Sequence, residues 1–454
     1  MANINTIVSV TILASALAPS RASFGVPAIY AYHTHNLALS RTYSSLAGMI
    51  ADGFTFGEPA VIMAQAILSQ PVAPPTFKVI RCTSAVQQIF VLGVTNNTTG
   101  VPVGITMLDS TGLVRDLYVT PASQTTAAVA TALGAIIAAV PGVASAVVAA
   151  TNITVTITTA GNTWYPQLTP ANSTNFMGGV QGLTFQDVTP TVGAATDLGN
   201  QLLLDPAWYG VSLQFISQAV IIDAAAWALA NKRILSYVSA DDLNLTAGTG
   251  VGQTMKNTSN SYAFGVFTRS PGQFAALGLM ANRFTADPGT DTWDLKPVAA
   301  ATPDDYLSPT QLQNITTNNM NALTTTAGLI LLNDGRSGSG QFMDLTRGID
   351  ALQNDMQISV YGLLAAMPKV PYTQKGINAV AGAIAASLAR FTASDSQPNA
   401  LLSNDPGFAP AVIPPLVASV AQADKKARIL RSMNWNATAA GAIHSVFIVG
   451  TISF

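Results

Sequence analysis

Between Asp116 and Asp187 the chain carries no Lys, Arg, Asp or Glu. Ala, Thr, Val, Gly, Ser and Asn fill the interval with a few larger apolar residues, so whatever folds there must build its surface without charge. The rest of the chain shares the tendency more weakly. Only 9% of its 454 residues are charged, against about 25% in ordinary soluble proteins. Scattered charge keeps protein surfaces apart in water, and interfaces between subunits are depleted in it. Composition therefore leaves two readings open: a low-charge secreted, capsid-like or surface protein, or a subunit covered by copies of itself.

The apolar fraction of 49% allows a sizeable core and excludes disorder over most of the length. A chain this long holds roughly two to four folded units. Net charge is -2 with no block of like charges, which excludes a basic nucleic-acid-binding face. The small basic cluster Lys425, Lys426, Arg428 and Arg431 falls at helical spacing and reads as a solvated face or an intersubunit ion-pair strip. Cys82 is the single cysteine; it permits no intrachain disulfide and no cysteine metal site, in keeping with a reducing cytoplasm. His33 and His35 would point to one side of a strand, but no third ligand lies nearby in sequence, so the expectation is no metal.

Two stretches imitate membrane signals. Residues 7–18, IVSVTILASALA, look like a signal-peptide core, yet no basic residue precedes them, and they are not expected to act as one. Residues 127–149 are long enough to span a bilayer but are mostly Ala and contain Pro141-Gly142; they predict a helix, a turn and a strand. No membrane insertion is expected.

Periodicity divides the chain. From Asn3 to Leu13, Ile4, Val8, Val10 and Ile12 alternate with polar residues, the pattern of an amphipathic strand. Residues 23–34 predict a second strand, with Pro27 restricting it to an edge or a bend. Residues 58–70 predict a short helix ending at Pro71. After PVAPP (71–75) come short strands, TFKVIRC, QQIFVLGV, VGITML and LVRDLYVT, then an Ala-rich helix, then ASAVVAA and ITVTITT. This predicts a small α+β module inserted over 76–187. Beyond it strands alternate with helices: a strand over 208–215, a helix over 218–230, strands over 233–240 and 261–268, and a helix over 270–284 with Ser270 as N-cap and Pro271 in its first turn. That order predicts parallel crossovers and an α/β sheet. Residues 349–367 place Ile349, Leu352, Met356, Val360, Leu363 and Met367 on one helical face, and residues 376–391 do the same with Ile377, Val380, Ile384 and Leu388.

Catalytic chemistry finds little support. Asp241-Asp242 follows a predicted strand end, where open α/β sheets bind ligands, and this is the one feature favouring an enzyme of α/β type. GRSGSG (335–340) has glycines but lacks the Gly-Lys-Ser/Thr that grips a phosphate. Asp304-Asp305 lies in a loop before a helix cap, and no nucleophile elbow is present. The expectation is no enzyme, no catalytic residue, no cofactor and no metal.

Five stretches in order carry a resemblance: SRASFGVPAIYA near the start, residues 290–315 (TDTWDLKPVAAATPDDYLSPTQLQNI), 338–364 (GSGQFMDLTRGIDALQNDMQISVYGLL), 369–388 (KVPYTQKGINAVAGAIAASL) and the ending GAIHSVFIVGTISF. In these the chain resembles the contractile tail sheath proteins of myoviruses. The resemblance implies an α/β and α+β multidomain chain: a mixed-sheet sheath core over 21–75 and 188–440, split into subdomains near 355, an outer module over 76–187, and strand arms at 1–20 and 441–454. It implies stacked hexameric rings around a tail tube, contraction that drives the tube through a bacterial envelope, and a place in the virion after assembly in the host cytoplasm. The implied partners are the chain itself, the tail tube protein, and baseplate and tail terminator proteins. Arms of this kind complete a sheet in neighbouring subunits, and the residues expected to do so are Ile4, Val8, Val10, Ile12, Ile443, Val446, Phe447, Ile448, Val449, Ile452 and Phe454. In the C-terminal arm Val446, Ile448, Ile452 and Phe454 fall on one side and Ile443, Phe447 and Val449 on the other, so both faces are apolar, as in a strand covered on both sides.

Overall fold

The computed structural model describes residues 21–168, 180–431 and 433–444. They fall into two compact units: 22–285 with 293–343, and 286–292 with the chain from 344 onward. The division comes at the start of a long helix, between Met343 and Asp344, and not near 355 as the sequence suggested.

The first unit opens with β1 (Pro27–Tyr32), β2 (Ser40–Tyr43), α1 (Leu46–Ala51), α2 (Pro59–Leu68) and β3 (Phe77–Cys82). β1 is no edge: it lies between β3 and a later strand and is parallel to both. Pro27 is tolerated there because it is the first residue of the strand, where a missing ladder donor costs least. β3 pairs directly with β1, so the change of texture at residue 76 precedes the departure from the main sheet, which comes after Cys82.

There follow β4 (Ile89–Val94), β5 (Val103–Leu108), β6 (Val114–Val119), α3 (Thr126–Ala138), β7 (Val143–Ala149), β8 (Asn152–Ile157), β9 (Tyr165–Pro166), β10 (Val180–Gln181) and β11 (Leu183–Asp187). They form two four-stranded sheets. One runs β11-β4-β8-β7, and in the other β5 lies between β6 on one side and β9 and β10 on the other. Thr125 caps α3 by accepting the Ala128 N–H at 3.2 Å, which satisfies one orphan donor of the first turn. On the face of the first small sheet toward α3, Phe90 stands opposite Val155 and Leu92 opposite Ile153. All four are buried, as are Val129, Leu133 and Ile137 of α3. A Cβ on Gly134 would come within 2.5 Å of Val148 Cγ2, so the glycine allows the helix to approach β7.

The unit continues with α4 (Ala194–Leu204), β12 (Gly210–Leu213), α5 (Gln218–Asn231), β13 (Ile234–Ser239), α6 (Gly250–Asn257), β14 (Ala263–Phe267), α7 (Ala275–Arg283), β15 (Lys296–Pro297), α8 (Pro309–Thr317), β16 (Asn321–Thr326) and β17 (Leu329–Leu332). The main sheet has nine strands in the order β15-β17-β16-β14-β13-β12-β1-β3-β2. Its centre is parallel; β2, β15 and β17 are antiparallel additions at its ends, which makes it a mixed sheet. β12, β13 and β14 are buried along their whole length, as a parallel sheet covered on both faces requires.

The helix predicted over 270–284 is interrupted. Pro271–Gln273 form a single 3-10 turn, Phe274 adopts φ +48°, and α7 begins only at Ala275. Phe274 is fully buried with its ring edge-on to Tyr165 at 5.5 Å. Burial of a large aromatic outweighs the steric cost of a left-handed residue. Ser270 does not cap this turn; its hydroxyl accepts the Leu168 N–H at 3.0 Å.

The second unit is built on α9 (Met343–Ala366) and α10 (Gln374–Arg390), followed by the short strand β18 (Ala411–Ile413), the helix α11 (Gln422–Ala427) and β19 (Asn434–Asn436). Leu352, Met356 and Val360 of α9 meet Ile384 and Leu388 of α10, with Leu401 and Leu402 completing the cluster. The helices run antiparallel, since Ser359 pairs with Ser387 at 3.0 Å while Asp355 accepts from Arg390 Nε at 3.1 Å.

Candidate assembly site

Asp241 and Asp242 stand just past the end of β13, as expected, but each has a structural task. Asp241 caps a short turn by accepting the Leu243 N–H at 2.9 Å. Asp242 forms an ion pair with Arg269 and also accepts the Phe185 N–H of β11 at 2.6 Å. Asp304 is buried and accepts the Arg269 N–H at 3.0 Å and the Tyr306 hydroxyl at 3.0 Å. One carboxylate thus pairs with the Arg269 guanidinium, and the other two lie within reach of its charge. Burial pushes Asp304 up to about 6 against the pull of the Arg269 N–H and Tyr306 hydrogen bonds. It pushes Asp241 up to about 6 as well, with Asp242 and Asp187 adding to the shift. This cluster clamps the small sheet's β11 to the main sheet.

The GRSGSG stretch is a turn that brings Gly338 N–H to Ala263 O at 2.8 Å and Asn321 to the Arg336 carbonyl at 2.9 Å. The rings of His33 and His35 do lie on one side, stacked at 6.2 Å and 12°. His35 Nε2 meets Glu58 Oε2 at 2.7 Å, and burial pushes His33 down to about 4, which keeps it neutral at physiological pH. Among the described residues no group of three or more His, Cys, Asp or Glu side chains could hold a metal ion, and no helix is long and apolar enough to cross a membrane.

Of the residues expected to make arm contacts, Ile4, Val8, Val10, Ile12, Val446, Phe447, Ile448, Val449, Ile452 and Phe454 lie outside the described residues. Ile443 is described: it belongs to no strand and is 86% exposed. A feature that sequence reasoning missed lies in the same unit. β18 and β19 pair antiparallel, with Val412 opposite Trp435, and both side chains pack against the α9–α10 cluster. Ala411, Ile413, Asn434 and Asn436 point the other way and are exposed. The sequence signal was two three-residue runs, AVI and NWN, too short to distinguish from loop. The basic cluster also differs from expectation. α11 ends at Ala427, and Arg428 takes a left-handed conformation at its C-terminus, so the four basic residues do not share one helical face. Arg431 pairs with Asp424 at 3.1 Å.

No protein-family profile and no curated protein matches the sequence. Among solved structures the chain is similar to a sheath tail protein from Desulfitobacterium hafniense, at 10% identity and a TM-score of 0.47, over 89% of this chain and 93% of that one. It is similar to a sheath tail protein from Listeria innocua at 11% identity and a TM-score of 0.42, over 82% and 88% of the two chains. A chain of the anti-feeding prophage baseplate is matched at 13% identity and a TM-score of 0.41, over 57% of this chain and 73% of that one.

Proposed function

We propose that the chain is a structural subunit of a contractile phage tail sheath, which polymerises as stacked hexameric rings around a tail tube and contracts to drive the tube through the host envelope. The observation that carries this reading is the short sheet β18–β19. Its two outer edges pair with no other strand among the described residues. A two-stranded sheet of this length is marginal by itself, and strand addition is a general way of completing one. The strands that would complete it are the chain's own ends, donated by neighbouring copies: Ile4, Val8, Val10 and Ile12 from one, and Ile443, Val446, Phe447, Ile448, Val449, Ile452 and Phe454 from another.

Head-to-tail contacts between identical subunits close into rings or propagate as a helix. If the same subunits have two packings and assembly on a tube traps the higher one, the difference drives a collective rearrangement. The partners in this reading are further copies of the chain, the tail tube protein, and baseplate and tail terminator proteins, in a virion assembled in the host cytoplasm. Deleting residues 443–454 tests it. The truncated chain keeps its melting temperature and fails to form long tubes under negative-stain microscopy; tubes of normal length from the truncated chain would overturn the reading.

A further inference from the structure

We infer that β7 is a strand-addition edge that pairs antiparallel with β7 of a second copy of this chain. β7 ends the sheet order β11-β4-β8-β7, and its outer side pairs with no strand among the described residues. Exposed edges of this kind are ordinarily blunted by charge, by proline, by a bulge, by shortness or by a covering group. The other outer strands of the first unit are all treated in one of these ways. β2 carries the exposed Arg41, paired with Asp52 at 2.9 Å. β15 is the dipeptide Lys296-Pro297. β6 carries Arg115 and Asp116, β9 contains Pro166 and β10 has two residues. β11 has its Phe185 N–H taken by Asp242.

β7, with the sequence VASAVVA, has neither charge nor proline over its seven residues. A register shift between Val143 and Ser145 bulges only its start, and from Ser145 to Ala149 the ladder to β8 is regular. Val147 is 60% exposed at this edge. Ser145 and Val147 lie opposite Thr156 and Thr154 of β8 on the sheet face away from α3, and both threonines are uncharged and half-buried.

The composition of the edge selects its occupant. A two-fold pairing centred on Ala146 sets Ser145 against Val147 and Ala146 against itself, clear of the register shift between Val143 and Ser145. Every opposed pair is small and neutral, so identical strands meet without the like-charge repulsion that a self-pairing edge must avoid. A charged partner strand would find no counter-charge on β7, nor anywhere between Asp116 and Asp187. Pairing would join two small sheets into one, through contacts that involve neither chain terminus.

The full-length chain tests this directly. Mixing Ser145→Cys and Val147→Cys chains under oxidising conditions gives disulfide-linked mixed dimers, while either variant alone gives about tenfold fewer; Cys82 is buried and does not compete. In the unmodified chain the amides of 143–149 gain hydrogen-exchange protection as concentration rises. Val147→Lys abolishes that gain without lowering the melting temperature, and Val147→Thr retains it. The inference is overturned if mixed dimers do not form, if Val147→Lys leaves the gain intact, or if protection is the same at all concentrations. The last outcome would mean either that the edge is covered within its own chain or that it stays open.

Discussion

The Asp242 carboxylate accepts the Phe185 amide hydrogen at 2.6 Å while also pairing with Arg269. Phe185 lies on the outer strand of a small sheet and Asp242 just past a strand end of the main sheet, so one side chain both caps an edge and neutralises a buried guanidinium. The location invites an enzymatic reading, yet the carboxylate's hydrogen-bonding capacity goes to fastening two layers together.

Removing that carboxylate leaves Arg269 buried with its main charge partner gone. Loss of one member of a buried pair costs about 3–5 kcal/mol. Asp242→Ala is expected to lower unfolding stability by that order in urea titration. It should also speed hydrogen exchange at Leu183–Asp187 more than at β13. Equal exchange in the two strands would show that the clamp is not what holds β11.

Asp241 and Asp304 are both pushed up to about 6 by burial. A carboxyl whose pKa is higher in the folded than in the unfolded chain stabilises the fold while protonated. Its contribution is complete below about 4 and is lost as pH rises through about 6. Stability is therefore expected to fall by roughly 3 kcal/mol per group across that window, from the shift of about two pKa units. Asp304→Asn keeps an acceptor for the Arg269 N–H and the Tyr306 hydroxyl and removes the titration, so urea titrations at pH 4.5 and pH 7 should differ less in the variant than in the unmodified chain.

Gly161 sits at φ +85° with its carbonyl accepting from the Gln214 side chain at 2.8 Å, and an added Cβ would lie 2.2 Å from Tyr32 Cδ1. Gly161→Ala combines backbone strain with a clash against a strand of the main sheet, each worth about 1–3 kcal/mol. A drop of several degrees in melting temperature is expected by calorimetry. An unchanged melting temperature would mean that Tyr32 moves aside freely.

Elements whose signal is local were legible in the sequence. α2, α3, α9 and α10 follow from apolar spacing, an Ala-rich run and proline stops, and the Leu352, Met356, Val360, Ile384 and Leu388 faces meet as the period predicts. What escaped depends on distant residues. Pro27 lies in the interior of the sheet because β12 and β3 flank β1, which no local pattern records. Phe274 breaks its helix for the sake of Tyr165, a partner more than a hundred positions away. Asp241 and Asp242 looked available because Arg269 and Phe185 approach them only in the fold. β18 and β19 were too short for periodicity to register, and the candidate arm residues other than Ile443 lie outside the described residues.

β1 has β3 on one side and β12 on the other, with Lys78 and Val211 both aligned on Ala28. The chain leaves the main sheet after Cys82, level with Tyr32 at one end of β1, and rejoins it at Gly210, level with Pro27 at the other end. Exit and return therefore lie about 10 Å apart across the sheet and about 17 Å apart along it. Closing a loop costs free energy that grows only with the logarithm of its length. Once those two points are held on either side of a common neighbour, lengthening or shortening the excursion changes the folding free energy little. The main sheet can thus keep its register through large changes in what is carried between those two strands, which gives this position the properties of a natural splice point.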